Sequence, residues 1–428
     1  MKSPVNSFLE RIYASCKNED SGNLADYIPE LASVDPHRFA ISLCTPDGTV
    51  YSAGDCDALF SIQSISKPFV YALALRECGY DTVMAAVGVE PSGDPYNEAS
   101  LQEGTGRPDN PMINIGAIAT HGVLREAVGW DGIYSGLCEF AGRELEIDEA
   151  VYESEVSTGW RNLALASLVR ANGIFDADPH DVFAGYIRQC AAKVTVNDLS
   201  VMAMTLASGG INPVTEERVI PEWVARQVLS VMTTCGMYDA AGDWLTGIGI
   251  PAKSGVGGGL VGALPGQVGI SAFSPRLDSY GHSVRGVRAF QQMSEQLNLH
   301  IMATPASTVE AVSQRSTTLE GDTLIEIQGV LDFSTTEMVL RHLEQIEKDD
   351  SDIVFDVSFV SAIPTVGGEL MAEALRRLAA EGHDITIVDP HGRLPHKITA
   401  RFDLLEERPE GYVDGLEVQE WEEASSSD

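Results

Sequence analysis

Lysine is scarce in this 428-residue chain: seven residues, against 21 arginines and 63 acidic side chains, for a formal net charge of −35. A chain so short of positive charge has no basic patch to offer, which excludes nucleic acid and anionic membrane as its main partners. Long apolar runs are also missing. The longest, such as Phe69–Leu75, fall far short of the roughly 20 residues that span a bilayer. Residues 1–20 hold no apolar core of a secretory signal, so the chain is read as cytoplasmic. The seven cysteines (16, 44, 56, 78, 138, 190, 235) are odd in number, scattered and without a CxxC pair, which argues against a disulfide framework or zinc site. The nine histidines show no HExxH or similar spacing, so neither metal nor cofactor is expected.

What is present is an ordinary globular composition, 44% hydrophobic and 21% charged with mean hydropathy near zero. It can bury a large core, and at about 150 residues per domain the length suggests two or three units. An acidic, lysine-poor surface also suits life in high salt. The polar stretch Thr304–Asp322 reads as a boundary. The expected domains are 1–305, a linker at 306–316, a second domain at 317–419 and a frayed acidic tail at 420–428.

The first domain mixes helix and strand. His37–Ser52 reads as a hairpin around Pro46-Asp47-Gly48, Lys67–Glu77 as a helix, Asn162–Ala171 and Val194–Ala207 as further helices, and Leu260–Phe273 as a strand pair. The second domain alternates: strand Thr323–Gly329, helix Ser334–Glu347, strand Asp352–Val357, helix Gly367–Ala380, strand Asp384–Val388. The fold class is α+β (mixed α/β), with a small α/β domain behind a larger one.

Two short motifs carry chemistry. Ser64-Ile65-Ser66-Lys67 opens a helix, and S-x-x-K spacing puts a hydroxyl and an amine on one face, one turn apart. Such a lysine acts as a base only if burial depresses its pKa, and Phe60, Ile62, Ile65 and Phe69 supply an apolar setting. Lys253-Ser254-Gly255, followed by Val256-Gly257-Gly258-Gly259, is the K-[ST]-G partner element of penicillin-recognising serine enzymes. Its glycines let backbone N–H groups approach a substrate oxygen. Whether Lys253 and Ser254 act in catalysis or only in structure stays open.

Together with five further segments, these motifs identify a family. Residues 5–303 resemble the serine-dependent glutaminases of β-lactamase/transpeptidase-like fold. The resemblance is carried, in family order, by ADYIPELA (25–32), FSIQSISKPF (60–69), RPDNPMINIGAI (107–118), YESEVSTGWRNLALA (152–166), GYIRQC (185–190), CGMYDAAGDW (235–244) and PAKSGVGGG (251–259). It implies Ser64 as nucleophile and Lys67 as base. It implies Asn114, Glu155 and Asn162 as substrate ligands, Tyr27, Tyr186 and Tyr238 as pocket residues, and Val256 as a backbone contact. The implied reaction is hydrolysis of L-glutamine to L-glutamate and ammonia. Glu155, the only acid of the set, would pair with the α-ammonium, and Tyr238, ahead of Tyr186, would protonate the leaving ammonia. Enzymes of this type are commonly dimers or tetramers, so a homo-oligomer is expected. Because acidic groups raise a lysine pKa, the carboxylates are expected to lie away from Lys67.

Residues 317–419 resemble a STAS domain, through TLIEIQGVLDFSTTEMV (323–339), DIVFDVSFVSAIPTVGG (352–368) and ITIVDP (385–390). The family's acceptor turn reads Asp-Ser-[Ser/Thr]-Gly. Here Thr365 takes the acceptor place and Pro364 replaces the Asp, which turns the reading toward a binding, regulatory or assembly module. Two other functions compete. A penicillin-interactive acyltransferase or β-lactamase shares the two short motifs but not the other segments. A non-enzymatic STAS signalling protein would have no use for an intact Ser64, Lys67 and Tyr238.

Overall fold

A computed structural model describes residues 4–92, 98–303, 312–317, 322–331, 333–343, 352–394 and 399–405. The chain divides into two units, Met1–Ala303 and Thr304–Asp428.

The first unit is built on a five-stranded antiparallel sheet with the order Val50–Gly54, Ala40–Cys44, Val268–Phe273, Gly259–Leu264, Ala252–Ser254. Ala40–Cys44, Gly259–Leu264 and Val268–Phe273 are buried along their whole length, so both faces are covered. The two-residue period of a strand sorts the side chains. Ile41, Leu43, Leu260, Ile270 and Ala272 face one way and pack with Leu9, Ile12, Phe290 and Met293 of the helices Pro4–Cys16 and Val284–Leu297. Ala40, Cys44, Val261 and Phe273 face the other core, beneath the helix Val196–Ala207. That face is studded with small residues because the helix comes very close. A Cβ on Gly269 would stand 2.2 Å from the Ser200 carbonyl oxygen. Buried hydroxyls finish the contact: Ser42 Oγ lies 3.0 Å from Ser200 Oγ, and Ser271 Oγ donates to the Val196 carbonyl at 2.6 Å.

Beyond that helix lies a helical layer: Ser66–Cys78, Asn114–Ala141 (broken at Gly129), Trp160–Ala171, Pro179–Cys190 and Glu222–Cys235. Ser66–Cys78 is buried on all sides from Ser66 to Leu75, so it crosses the core rather than lying on it. A small three-stranded sheet, Phe60–Ser61 beside Ala192–Val194 beside Glu146–Ile147, holds the chain just before this helix. The expected hairpin, the strand pair and the helices from 66 and 160 are all present. Val194 ends a strand, and the helix predicted from it begins at Val196, capped by Thr195 and Asp198.

The second unit has a five-stranded sheet in the order Asp403–Leu405, Ile385–Val388, Ile353–Ala362, Thr323–Val330, Val312–Thr317. All neighbours are parallel except the last pair. Its core joins Ile325, Ile327, Phe355, Val357 and Ile387 to Met371, Leu375 and Leu378 of the helix Thr365–Glu381. Leu370, expected on that apolar stripe, is only half-buried. The linker expectation is corrected: Val312–Thr317 is a strand, paired antiparallel with Thr323–Val330 from Thr317↔Thr323 onward. An edge strand is held by backbone hydrogen bonds along one side only, so its polar sequence hid it. Residues 304–311, the 344–347 end of the predicted helix and the 420–428 tail lie outside the described residues.

Each unit has its own sheet and core, so a chain ending at Ala303 should fold alone. It should give a single cooperative thermal transition by circular dichroism. A chain so shortened that stays unfolded would show that the first unit needs the second.

Candidate active site

The strand Phe60–Ser61 leads through one 3₁₀ turn, Gln63–Ile65, into the helix Ser66–Cys78. The turn is forced: Gln63 has φ +51°, the left-handed region, which costs a residue with a Cβ about 1–2 kcal/mol. Its carbonyl is held in return by Ser66, whose backbone N–H and Oγ both donate to it, the latter at 2.8 Å. The glycine-rich loop lies against this turn. A Cβ on Gly257 would be 3.1 Å from the Ser61 carbonyl oxygen, and one on Gly255 3.1 Å from that of Ile62. Val256, between them, therefore faces the same space as Ser64.

That space is a cavity of about 380 Å³. Seven of the nine residues expected at the site line it: Tyr27, Ser64, Asn114, Glu155, Asn162, Tyr186 and Val256. Gln63, Arg161, Ile187 and Cys190 complete the lining and were not anticipated. Glu155 is buried, and Tyr27 donates to its Oε1 at 2.8 Å. Gln63 also hydrogen-bonds it. Burial raises the carboxyl pKa against the pull of these two bonds, and neither partner is a cation. Arg161 is held by Glu98 in an ion pair of 2.9 Å.

Lys67 sits behind the lining, 1% exposed. Its Nζ donates to Asn114 Oδ1 at 2.7 Å and to the Met112 carbonyl at 3.2 Å. Asn114 in turn donates from Nδ2 to Asn162 Oδ1 at 3.1 Å. Both hydrogen-bond partners of Lys67 are neutral, so the loss of water around an ammonium outweighs the opposing pull of the nearby Cys190, and burial takes its pKa down from 10.5 to about 7. The turn that feeds Asn114 is built by a different asparagine. Asn110 Oδ1 accepts from the N–H groups of Met112 and Ile113 at 3.0 and 3.3 Å. Gly116 follows because a Cβ there would lie 1.8 Å from the Asn110 carbonyl oxygen.

Tyr238 departs from expectation. It does not line the Ser64 cavity but a neighbouring one of about 390 Å³, with Thr234, Cys235 and Leu245. Its ring stands between two lysines, with Lys67 Nζ 5.8 Å and Lys253 Nζ 3.9 Å from the ring centroid. Lys253 donates to the Tyr238 hydroxyl at 2.8 Å and to the Ser254 carbonyl at 2.8 Å. Burial, and then the nearness of Lys67, push the Lys253 pKa well below that of an ordinary lysine. The sequence left the role of Lys253 open; the geometry makes it the direct partner of Tyr238. Ser254 Oγ is buried and without a partner among the described residues. Gln63 could have been suspected from its place immediately before Ser64. Arg161 gives no such signal beyond standing next to Asn162.

Among the described residues, no group of three or more His, Cys, Asp or Glu side chains is placed to hold a metal ion, and no helix is long and apolar enough to cross a membrane. The cavity thus brings together a serine hydroxyl, a glycine-rich loop and a buried carboxylate without a cationic partner, with a buried lysine of lowered pKa behind its wall.

Comparison with known proteins agrees. Residues 22–302 match the glutaminase family model, and residues 313–406 match the STAS domain. A glutaminase of Corynebacterium glutamicum is 45% identical over 411 residues, covering 95% of this chain and 99% of that protein. One from Trichormus variabilis is 46% identical over 302 residues, 70% of this chain and 90% of that protein. The solved structure of Mglu in its L-glutamate binding form in the presence of 4.3 M NaCl superposes with a TM-score of 0.86 at 40% identity, covering 92% of this chain and all of that one. A probable glutaminase from Bacillus subtilis complexed with 6-diazo-5-oxo-L-norleucine gives a TM-score of 0.64 at 32% identity, over 71% and 97% of the two chains. With a mixed α/β fold, a family match over residues 22–302 and relatives 45% identical over nearly their whole length, the chain belongs to the glutaminase family and carries a STAS domain behind it.

Proposed function

We propose that the chain hydrolyses L-glutamine to L-glutamate and ammonia through an acyl-enzyme on Ser64. The observation that carries this reading is the buried Lys67, whose pKa burial pulls down from 10.5 to about 7 and which follows Ser64 by three residues, across the junction of the 3₁₀ turn and the helix. Ser64 Oγ attacks the side-chain carbonyl carbon of glutamine while Lys67 Nζ takes the hydroxyl proton. The N–H groups of Ser64 and Val256 hold the oxyanion. As the C–N bond breaks, Tyr238 gives its proton to the departing ammonia, and Lys253, bonded to the phenol oxygen, steadies the phenolate left behind. Lys67 passes the proton it took from Ser64 to the Tyr238 phenolate, which restores both groups. Water then attacks the glutamyl ester with the neutral Lys67 as base, and the proton Lys67 takes from water goes on to Ser64 Oγ as glutamate leaves.

Glu155 receives the α-ammonium, which supplies the cation that neither Tyr27 nor Gln63 provides. Asn114 and Asn162 orient the amino-acid head, and Tyr27 and Tyr186 close the cavity around it. The role of Tyr238 from a neighbouring cavity requires its hydroxyl to reach across the wall between the two. Cytoplasmic residence and a homo-oligomeric state belong to the same reading; all seven cysteines are free thiols, which suits a reducing compartment. The STAS unit is a binding, regulatory or assembly module. Thr365 is exposed at the first position of its helix, behind Pro364 in place of a capping side chain.

The direct test is ammonia release from L-glutamine, with L-asparagine as the comparison. Wild type should turn over glutamine, and Ser64→Ala should lose the activity to background; a Ser64→Ala enzyme near the wild-type rate would remove the nucleophile assignment. Glu155→Gln should keep the shape of the site and lose the ion pair. Because a hydrogen bond to a charged group is worth about 1.5–3 kcal/mol, kcat/KM should fall roughly 10- to 100-fold. An unchanged kcat/KM would mean that the ammonium is bound elsewhere.

A further inference from the structure

One buried titratable group has no place in that mechanism. His121 is fully buried, seven residues beyond Asn114 on the helix Asn114–Ala141, and therefore on nearly the same face, two turns on. Its Nδ1 lies 2.7 Å from Gln189 Oε1. Gln189, also fully buried, is on the helix Pro179–Cys190, three residues after Tyr186. Gln189 Nε2 donates to Ser66 Oγ at 3.1 Å, and Ser66 Oγ donates to the Gln63 carbonyl at 2.8 Å. The chain thus runs from His121 through Gln189 and Ser66 to the left-handed residue immediately before Ser64.

The direction of each bond follows from the one after it. Ser66 has one hydrogen and gives it to Gln63, so it must receive from the Gln189 amide nitrogen. The Gln189 amide oxygen must then receive from His121 Nδ1–H. The imidazole is held as the Nδ1–H tautomer, and its Nε2 is buried without a partner among the described residues. Gly185 seals that side: a Cβ there would lie 2.4 Å from Nε2. Burial also lowers the His121 pKa to about 4, so the ring stays neutral and the bond order does not reverse near neutral pH.

We propose that His121 and Gln189 are positioning residues for the nucleophile. Acting through Ser66, they clamp the strained Gln63 carbonyl and so hold Ser64 and its N–H where acylation needs them. The proposal rests on Ser64 being the nucleophile. A left-handed residue at this point is uphill by itself, and a chain of buried hydrogen bonds over-determines it. The same chain ties three helices together: the one bearing Lys67, the one bearing Asn114 and the one bearing Tyr186.

The test compares kcat and KM for glutamine in wild type, Ser64→Ala, His121→Leu, Gln189→Leu, Ser66→Ala and His121→Asn. The first two establish the activity and its nucleophile; a wild type that releases no ammonia refutes the Ser64 reading itself. Given an active wild type, His121→Leu, Gln189→Leu and Ser66→Ala should each lose about 100-fold in kcat with KM nearly unchanged, the loss expected when a reacting group is misplaced by about an ångström. His121→Asn, whose amide nitrogen takes the place of Nδ1–H, should restore kcat to within about threefold of wild type. If the leucine variants fail to fold, Ser66→Ala, which removes only the last hydroxyl, decides alone. Wild-type kcat in Ser66→Ala or in folded leucine variants overturns the proposal. So does a His121→Asn enzyme as slow as His121→Leu.

Discussion

The loss of water around one ammonium group governs this site. Lys67 is surrounded by the core, with a side-chain amide and a backbone carbonyl as partners, and no carboxylate pulls its pKa back up. The rest of the first unit can be seen as the apparatus for keeping it so. The helix Ser66–Cys78 must run through the core rather than over it, so it is apolar on every side. The sheet must be covered on both faces, so the strands facing the helix Val196–Ala207 carry Ala, Ser, Cys and Gly. A second buried lysine, Lys253, shares the region and bonds Tyr238. Two amines so close cannot both be charged at low cost, which lowers the second further.

The large acidic excess is consistent with this chemistry because it is kept outside. Among the described residues only Glu155, Asp198, Asp356 and Asp389 are buried acids. Asp198 is engaged by Arg143 and by the cap of its own helix, and Asp356 and Asp389 belong to the other unit. Of these four, Glu155 alone lines the cavity beside Ser64. Among the described residues the other acidic side chains are thus at least partly exposed.

Much of this was legible in the sequence because it was written in local signals. S-x-x-K declares a hydroxyl and an amine on one helical turn, and the hairpin around Pro46-Asp47-Gly48 and the strand pair 260–273 declare themselves by pattern. The invisible parts depend on long-range contact. Gln63 looks like an unremarkable polar residue until its left-handed backbone and its bond to Glu155 appear. Gln189 and His121 are 68 residues apart and meet only because two helices close over Gly185. Tyr238 carries a motif that names it but not the wall it stands in, and the fold puts it in a neighbouring cavity with Lys253. Val312–Thr317 passed for linker because an edge strand needs no apolar pattern.

The scarcity of lysine makes the central claim directly measurable. With only seven lysines, a chain labelled at the lysine side chains gives at most seven side-chain resonances by NMR, and a Lys67→Met variant identifies the one that matters. An ordinary lysine titrates near 10.4. The account predicts that the Lys67 resonance titrates near pH 7, neutral above and charged below, while surface lysines stay in the ordinary range. A Lys67 resonance that remains charged up to about pH 10 would contradict it, since an amine in that state could not take the proton from Ser64.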